Sequence, residues 1–245
     1  MKMFFFAILL FFFAGTSADA ALTDGLTLHY SLDGNANDIT GNGFDASVAG
    51  ATLSEDRFGN PESAYSFDGD NDYIENNAFS NADFSGISIA YWVKTPQNDS
   101  NSSRLVHSAF GGFYYARGQV RWFIDGYSAG ALTNNDLIND GNWHLVVGTN
   151  DGSTSSLYVD GLFQGEAGEI IMPGNRLVIG NDKVYSSPFE GSIDDFRIYD
   201  RALSIDEIDQ LAAVPVPRAF LLLGSGLIGM AGLARNRKMS WKKSA

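Results

Sequence analysis

Carboxylates are the residues of this chain best placed to do chemistry, and one of them, Asp194, stands inside the run Gly191-Ser192-Ile193-Asp194-Asp195-Phe196-Arg197-Ile198-Tyr199. Strand side chains alternate between faces, so Asp194 is expected to share a face with Phe196 and Ile198, where a bare carboxylate is costly. An ion pair or a bound cation would neutralise it. Arg197 is the near basic residue, and alternation sends it to the opposite face. The acidic loops Asp33-Gly34-Asn35-Ala36-Asn37-Asp38 and Asp68-Gly69-Asp70-Asn71-Asp72 offer further oxygens. Neither is an EF-hand: the first has Asp38 at the sixth position, where glycine is needed, and Phe44 at the twelfth, where glutamate is needed, and the second has Phe79 at its twelfth.

Other chemistries find less support. The chain has no cysteine and three histidines, His29, His107 and His144, without ligand-like spacing, which disfavours zinc. A Ser-His-Asp set needs a histidine poised in a cleft, and His144 beside Trp143 reads as structural. A retaining glycosidase needs two carboxylates about 5 Å apart. Glu166 and Glu169, flanked by Gly165 and Gly168, read instead as a solvated loop. Aromatic residues are plentiful, and a ring face that stacks on a pyranose is a plausible lectin-like device. Tyr115, Trp122 and Tyr185 are the candidates for it, although a β-sandwich core asks for the same residue types at alternate positions. Trp92 and Trp143 are assigned to the core.

The elements that must position these residues are strands. Leu26–Leu32, Ile87–Val93, Arg104–Phe110, Phe113–Ala116, Gln119–Ile124, Trp143–Thr149, Ser156–Val159, Leu162–Gly165, Leu177–Ile179 and Ile193–Tyr199 are β-rich runs separated by Gly, Asn, Asp and Ser clusters. Asp160-Gly161 between two of them is a type I′ hairpin signal. Tyr30-Ser31-Leu32-Asp33-Gly34-Asn35 and Tyr65-Ser66-Phe67-Asp68-Gly69-Asp70 look alike, but no third copy follows, so they read as two similar strand-to-turn junctions rather than a repeat. One helix is expected, Ile205 to Ala212, with Ser204 and Glu207 as a capping box and Leu203 stapled on Ile208. The pattern specifies an all-β sandwich or jelly roll of two antiparallel sheets with one short C-terminal helix.

The run from Gly191 to Ser204 resembles the closing strand of laminin G-like jelly-roll domains of the concanavalin A-like lectin/glucanase superfamily. His29 to Gly34, Asp38 to Gly43, Tyr65 to Gly69, Ile87 to Lys94, Trp143 to Val146 and Leu157 to Gly161 add to that resemblance, in order, over roughly residues 26 to 212. The resemblance implies a calcium ion where the opening loop meets the closing strand, held by Asp194 and Asp38, with Asp33 and the region of Asn42 and Gly43 as further ligands. A hydrogen-bonded carboxylate without metal is the alternative for Asp194. The Glu-x-Asp-x-x-Glu pattern of the superfamily's glucanases does not occur.

Both ends read as addresses. Residues 1 to 20, with Lys2, the apolar run Met3 to Gly15 and Ala18-Asp19-Ala20, are expected to be a cleaved secretory signal. Residues 21 to 213 form the domain, 214 to 218 a Pro-rich linker, and 219 to 245 a short apolar segment with a basic end. That tail resembles bacterial sorting signals of the PEP-CTERM type, which implies an exosortase-like processing enzyme and transient membrane contact, although Val216 stands where the named motif has Glu. A plain C-terminal anchor is the alternative. Of 29 acidic residues 28 lie in the domain, against nine of the 16 basic ones, a formal charge of −19 that disfavours nucleic acid. The expectation is a secreted, noncatalytic binding or adhesion module for an extracellular glycan or matrix component, at the cell envelope or in the extracellular matrix of a bacterium. A divergent polysaccharide-active enzyme and a structural matrix protein are the competing readings.

Overall fold

The computed structural model describes residues 22–80, 84–96, 103–108, 111–116, 118–123, 138–168, 175–181 and 188–213. The proposed signal, the linker and tail beyond Ala213, and Tyr185 lie outside them. In chain order the strands are β1 (Leu26–Tyr30), β2 (Ser47–Ala49), β3 (Thr52–Ser54), β4 (Ala64–Asp68), β5 (Tyr73–Ser80), β6 (Ile87–Lys94), β7 (Ser103–Ser108), β8 (Gly111–Ala116), β9 (Gln119–Phe123), β10 (Trp143–Asn150), β11 (Thr154–Val159), β12 (Leu162–Gly168), β13 (Asn175–Ile179) and β14 (Glu190–Tyr199). One helix, α1 (Ile205–Ala212), follows. The compact unit that holds all of these ends at Ala212. No described helix is long and apolar enough to cross a membrane.

The strands make two antiparallel sheets. The larger runs β12-β11-β10-β6-β14-β4-β3 with β1 paired on β14, and the smaller runs β2-β5-β13-β7-β8-β9. This is the jelly-roll sandwich that the strand pattern specified. Between the sheets lies the main core, where Tyr30, Tyr91, Phe113, Tyr115, Trp122, Phe196 and Ile198 meet. A second apolar cluster, Ala90, Trp92, Leu145, Val147, Tyr199 and Ile208, forms on the outer face of the larger sheet, under α1. A strand buried on both faces needs apolar residues throughout, which is why β6 reads Ile-Ser-Ile-Ala-Tyr-Trp-Val without alternation.

Local signals explain most turns and the helix. Asp160 (φ 52°) and Gly161 (φ 79°) both take the left-handed conformation that a type I′ turn requires. At α1, the Ser204 amide donates to Glu207 Oε2 at 2.8 Å and the Glu207 amide to Ser204 Oγ at 3.4 Å, closing the capping box. Leu203 and Ile208 are buried together as the staple. The strand β5 is less legible, because Glu75-Asn76-Asn77 has poor strand propensity. Pairing with β2 and β13 makes it a strand, and Asn76 reinforces it by donating to the Tyr30 hydroxyl at 2.9 Å and accepting from the amides of Ala78 and Phe79.

Candidate functional site

The closing strand β14 changes neighbours halfway along. Glu190 to Ile193 pair with β4, Phe196 to Tyr199 pair with β1, and β6 flanks the other side throughout. Between the two halves the register against β6 slips: Asp194 faces Trp92, and the next paired residue, Arg197, faces Ala90. The extra residue is a β-bulge, and Asp195 takes it up with φ of 50°, a left-handed conformation that costs an L side chain about 1–3 kcal/mol.

That bulge corrects the expected placement of Asp194. It shifts the alternation by one, so Phe196 and Ile198 point into the core while Asp194 and Arg197 share the outer face with Trp92. The neutralising charge comes from the β3–β4 loop. Arg57 Nη1 donates to Asp194 Oδ2 at 2.5 Å and Nη2 to Asp195 Oδ2 at 3.0 Å, so one guanidinium bridges both carboxylates. Its plane also lies over the rings of Phe58 (4.5 Å) and Trp92 (5.0 Å). Asp56 shapes the loop that presents it, accepting from the amides of Phe58 and Asn60, each at 2.8 Å. Asp195 is further held by His29 Nε2 at 2.7 Å and Arg197 Nε at 3.0 Å.

The two neighbours titrate in opposite directions. Burial pushes the Asp194 carboxyl up to about 7, against the opposing pull of Arg57. Burial would raise Asp195 as well, but His29, Arg197 and Arg57 outweigh it and hold Asp195 well below the usual carboxylate range.

The four residues expected to hold calcium do not fit that role together. Asp194 is spent on Arg57. Asp38 accepts from the amides of His29, Thr40 and Phe44 and from the Thr40 hydroxyl, which together hold its carboxyl below the usual range despite burial. Asp33 is exposed, and Asn42 turns its amide nitrogen toward the Thr27 carbonyl at 2.8 Å. Among the described residues no group of three or more His, Cys, Asp or Glu side chains is arranged for a metal ion. The opening loop is organised by its own Asp38 and by the Tyr30 hydroxyl on the Phe44 carbonyl at 2.7 Å.

Nor do the two described aromatic candidates form a stacking face. Tyr115 and Trp122 are 0% and 2% exposed. Phe113 and Tyr115 on β8, with Val120 and Trp122 on β9, are the inward members of their alternation. Trp122 stacks on Phe113 at 5.7 Å, and both lie over Gly148 of the facing sheet, where a Cβ would sit 2.7 Å from either ring. His144, expected to be structural, is clamped between Asp160 at 2.8 Å and Asp140 at 3.1 Å; Asp160 chiefly raises its pKa.

What the larger sheet does offer is an open cavity of about 350 Å³ with a mixed lining: Ser66, Asp68, Lys94, Glu190 and Ser192 are its polar members, and Phe67, Pro96 and Gly191 complete it. Ser66, Ser192 and Lys94 are cross-strand partners on β4, β14 and β6, and Trp143 of β10 faces Lys94 on the other side. Sequence reasoning missed this row because none of its members is unusual alone. The signal was the outward alternation: Ser192 precedes Asp194 by two, and Lys94 follows Trp92 by two.

Comparison with known proteins agrees with the sandwich. A laminin G-like family model described as concanavalin A-like lectin/glucanases superfamily matches residues 68–209, more than half of the chain. No curated protein matches the sequence. The fold is similar to the ligand-binding domain of botulinum neurotoxin serotype D, solved in complex with N-acetylneuraminic acid (TM-score 0.65, 20% identity, 80% of this chain and 52% of that one). It is also similar to the binding domain of Paraclostridial Mosquitocidal Protein 1 (TM-score 0.63, 20% identity, 78% and 52%). The chain thus spans about half the length of the solved structures it matches.

Proposed function

Given that the chain belongs to the concanavalin A-like lectin/glucanases superfamily, we propose that it is a noncatalytic carbohydrate-binding module, secreted and displayed at a bacterial cell envelope or in its matrix. The observation that carries the noncatalytic half is Arg57. Asp194 and Asp195 are the paired acids of the closing strand, and one guanidinium bridges them. A glycoside hydrolase needs one carboxyl free to protonate the leaving oxygen and another to attack or to activate water. Asp194 and Asp195 instead pair with basic side chains at 4% and 12% side-chain exposure. Fold neighbours that are binding domains, one of them in complex with N-acetylneuraminic acid, support the binding half. The signal-like residues 1 to 20 and the sorting-signal-like residues 214 to 245 support the address.

A glycan array probed with the purified protein, in excess calcium and in excess chelator, tests the reading. Binding to at least one polysaccharide class is expected, with equal signal in both conditions because Arg57 already supplies the positive charge. Silence across the array would favour a structural matrix protein. Signal only with calcium would contradict the assignment of Arg57 as the resident counter-ion.

A further inference from the structure

We propose that the cavity at the ends of β4, β14 and β6 is the sugar subsite, and that it takes one uncharged pyranose ring of a neutral polysaccharide; the proposal rests on the carbohydrate-binding reading above. Its volume of about 350 Å³ lies at the small end of the range for ligand pockets, suited to a single ring with its substituents.

The walls are already fixed. Thr95 Oγ1 donates to the Glu190 carbonyl at 2.7 Å, tying the end of β6 to the start of β14. Gly191 has φ of 149°, and a Cβ there would meet the Lys94 carbonyl at 2.5 Å, so glycine permits the two strands to close beneath the cavity. On the other wall the Asp68 amide donates to Asp72 Oδ2 at 3.0 Å, and the Asp70 amide to Asp68 Oδ1 at 2.9 Å. The backbone around the cavity is thus held in place before a ligand arrives, which lowers the ordering cost of binding to that of the exposed side chains.

The lining chemistry matches a polyol. Lys94 has no ion pair among the described residues, although Asp68 and Glu190 line the same cavity in a domain of formal charge −19. Lys94 on β6 and Asp68 on β4 stand on either side of β14, a separation that hydroxyl groups, which donate and accept at once, can bridge. Ser66 and Ser192 add two hydroxyls to the floor, in one row with Lys94. Cross-strand neighbours on one face stand about 5 Å apart, so this row presents polar groups at the spacing of alternate rather than adjacent ring hydroxyls. The single lysine is offset by two carboxylates, and the field of an acidic domain repels polyanions, so the ring is uncharged.

The test uses the full chain and its Lys94→Met and Ser192→Gln variants against hexasaccharides of glucose, mannose, galactose, xylose and N-acetylglucosamine, with a galacturonate hexamer as the acidic probe. Wild type is expected to bind at least one neutral probe and not the acidic one. Each variant should weaken that binding by about tenfold or more, one by loss of the charged donor and the other by filling the cavity. Lys94 is exposed and Ser192 half-buried, and unchanged melting temperatures will show that the fold is kept. If the wild type binds a neutral probe and both variants bind it within about twofold, the cavity assignment is overturned while the carbohydrate-binding reading stands. If only the galacturonate hexamer binds, the ligand class is wrong. If no probe binds, the carbohydrate-binding reading itself fails.

Discussion

Two adjacent carboxylates on one face of a sheet stay there only because Arg57 lies between them and His29 and Arg197 back up the second. Removing one partner of a buried ion pair leaves an uncompensated charge, which typically costs about 3–5 kcal/mol. Arg57→Ala should approach that loss at pH 8 and cost less at pH 5, where Asp194 carries a proton and only Asp195 needs a counter-charge; urea midpoints of the two proteins at both pH values measure it. The same residue sets a pH dependence. The folded-state pKa of Asp194, raised to about 7, lies above the unfolded value of 3.8, so between these values the native state holds a proton that the unfolded chain has released. Its contribution is therefore fully present below about pH 4 and is lost as pH rises towards 7. Asp195, held low, contributes in the opposite sense: its share is present above the unfolded value and is lost as acid protonates it. Wild type should consequently lose stability relative to Asp194→Asn between pH 5 and pH 8, and parallel curves for the two would mean that Asp194 is ionised throughout.

Turns and caps at the element scale follow from local residue types, and one of them links two elements. Gly161 closes the β11–β12 hairpin with φ of 79°, and a Cβ there would stand 3.0 Å from Asp209 Oδ1 and 3.5 Å from the Ala212 Cβ of α1. Gly161→Ala should thus cost about 1–3 kcal/mol of strain and loosen the last turn of the helix, read as a lower melting temperature with faster amide exchange at Leu211 and Ala212. Hairpin, capping box and staple were legible because each depends on a few neighbouring residues. The bulge in β14 was not: nothing in Ile193-Asp194-Asp195-Phe196 announces an extra residue, and its cause is the change of partner from β4 to β1, a feature of the whole sheet. One slipped residue reversed the face of Asp194 and with it the argument for calcium, while Arg57, 137 residues away in sequence, gave no sign that it would arrive. Tyr115 and Trp122 show the converse. Alternation with Phe113 and Val120 placed them inward, and their aromatic character alone suggested a binding face.

For the whole molecule, an acidic domain stands in the sequence between a signal-like start and an apolar, basic end, and its charge sets it apart from both. If the tail is a sorting signal, the mature protein loses it, and mass spectrometry of the envelope and secreted fractions should find chains ending near residues 214 to 218; intact Lys243 as the dominant terminus would identify a lasting anchor. On the proposed function, this family member holds a glycan without cutting it. The most direct test is to incubate the purified protein with each glycan it retains on the array and to follow retention and new reducing ends in the same sample. Stable retention with reducing ends at the buffer level is the predicted result, and release of reducing ends in proportion to protein and time would contradict it.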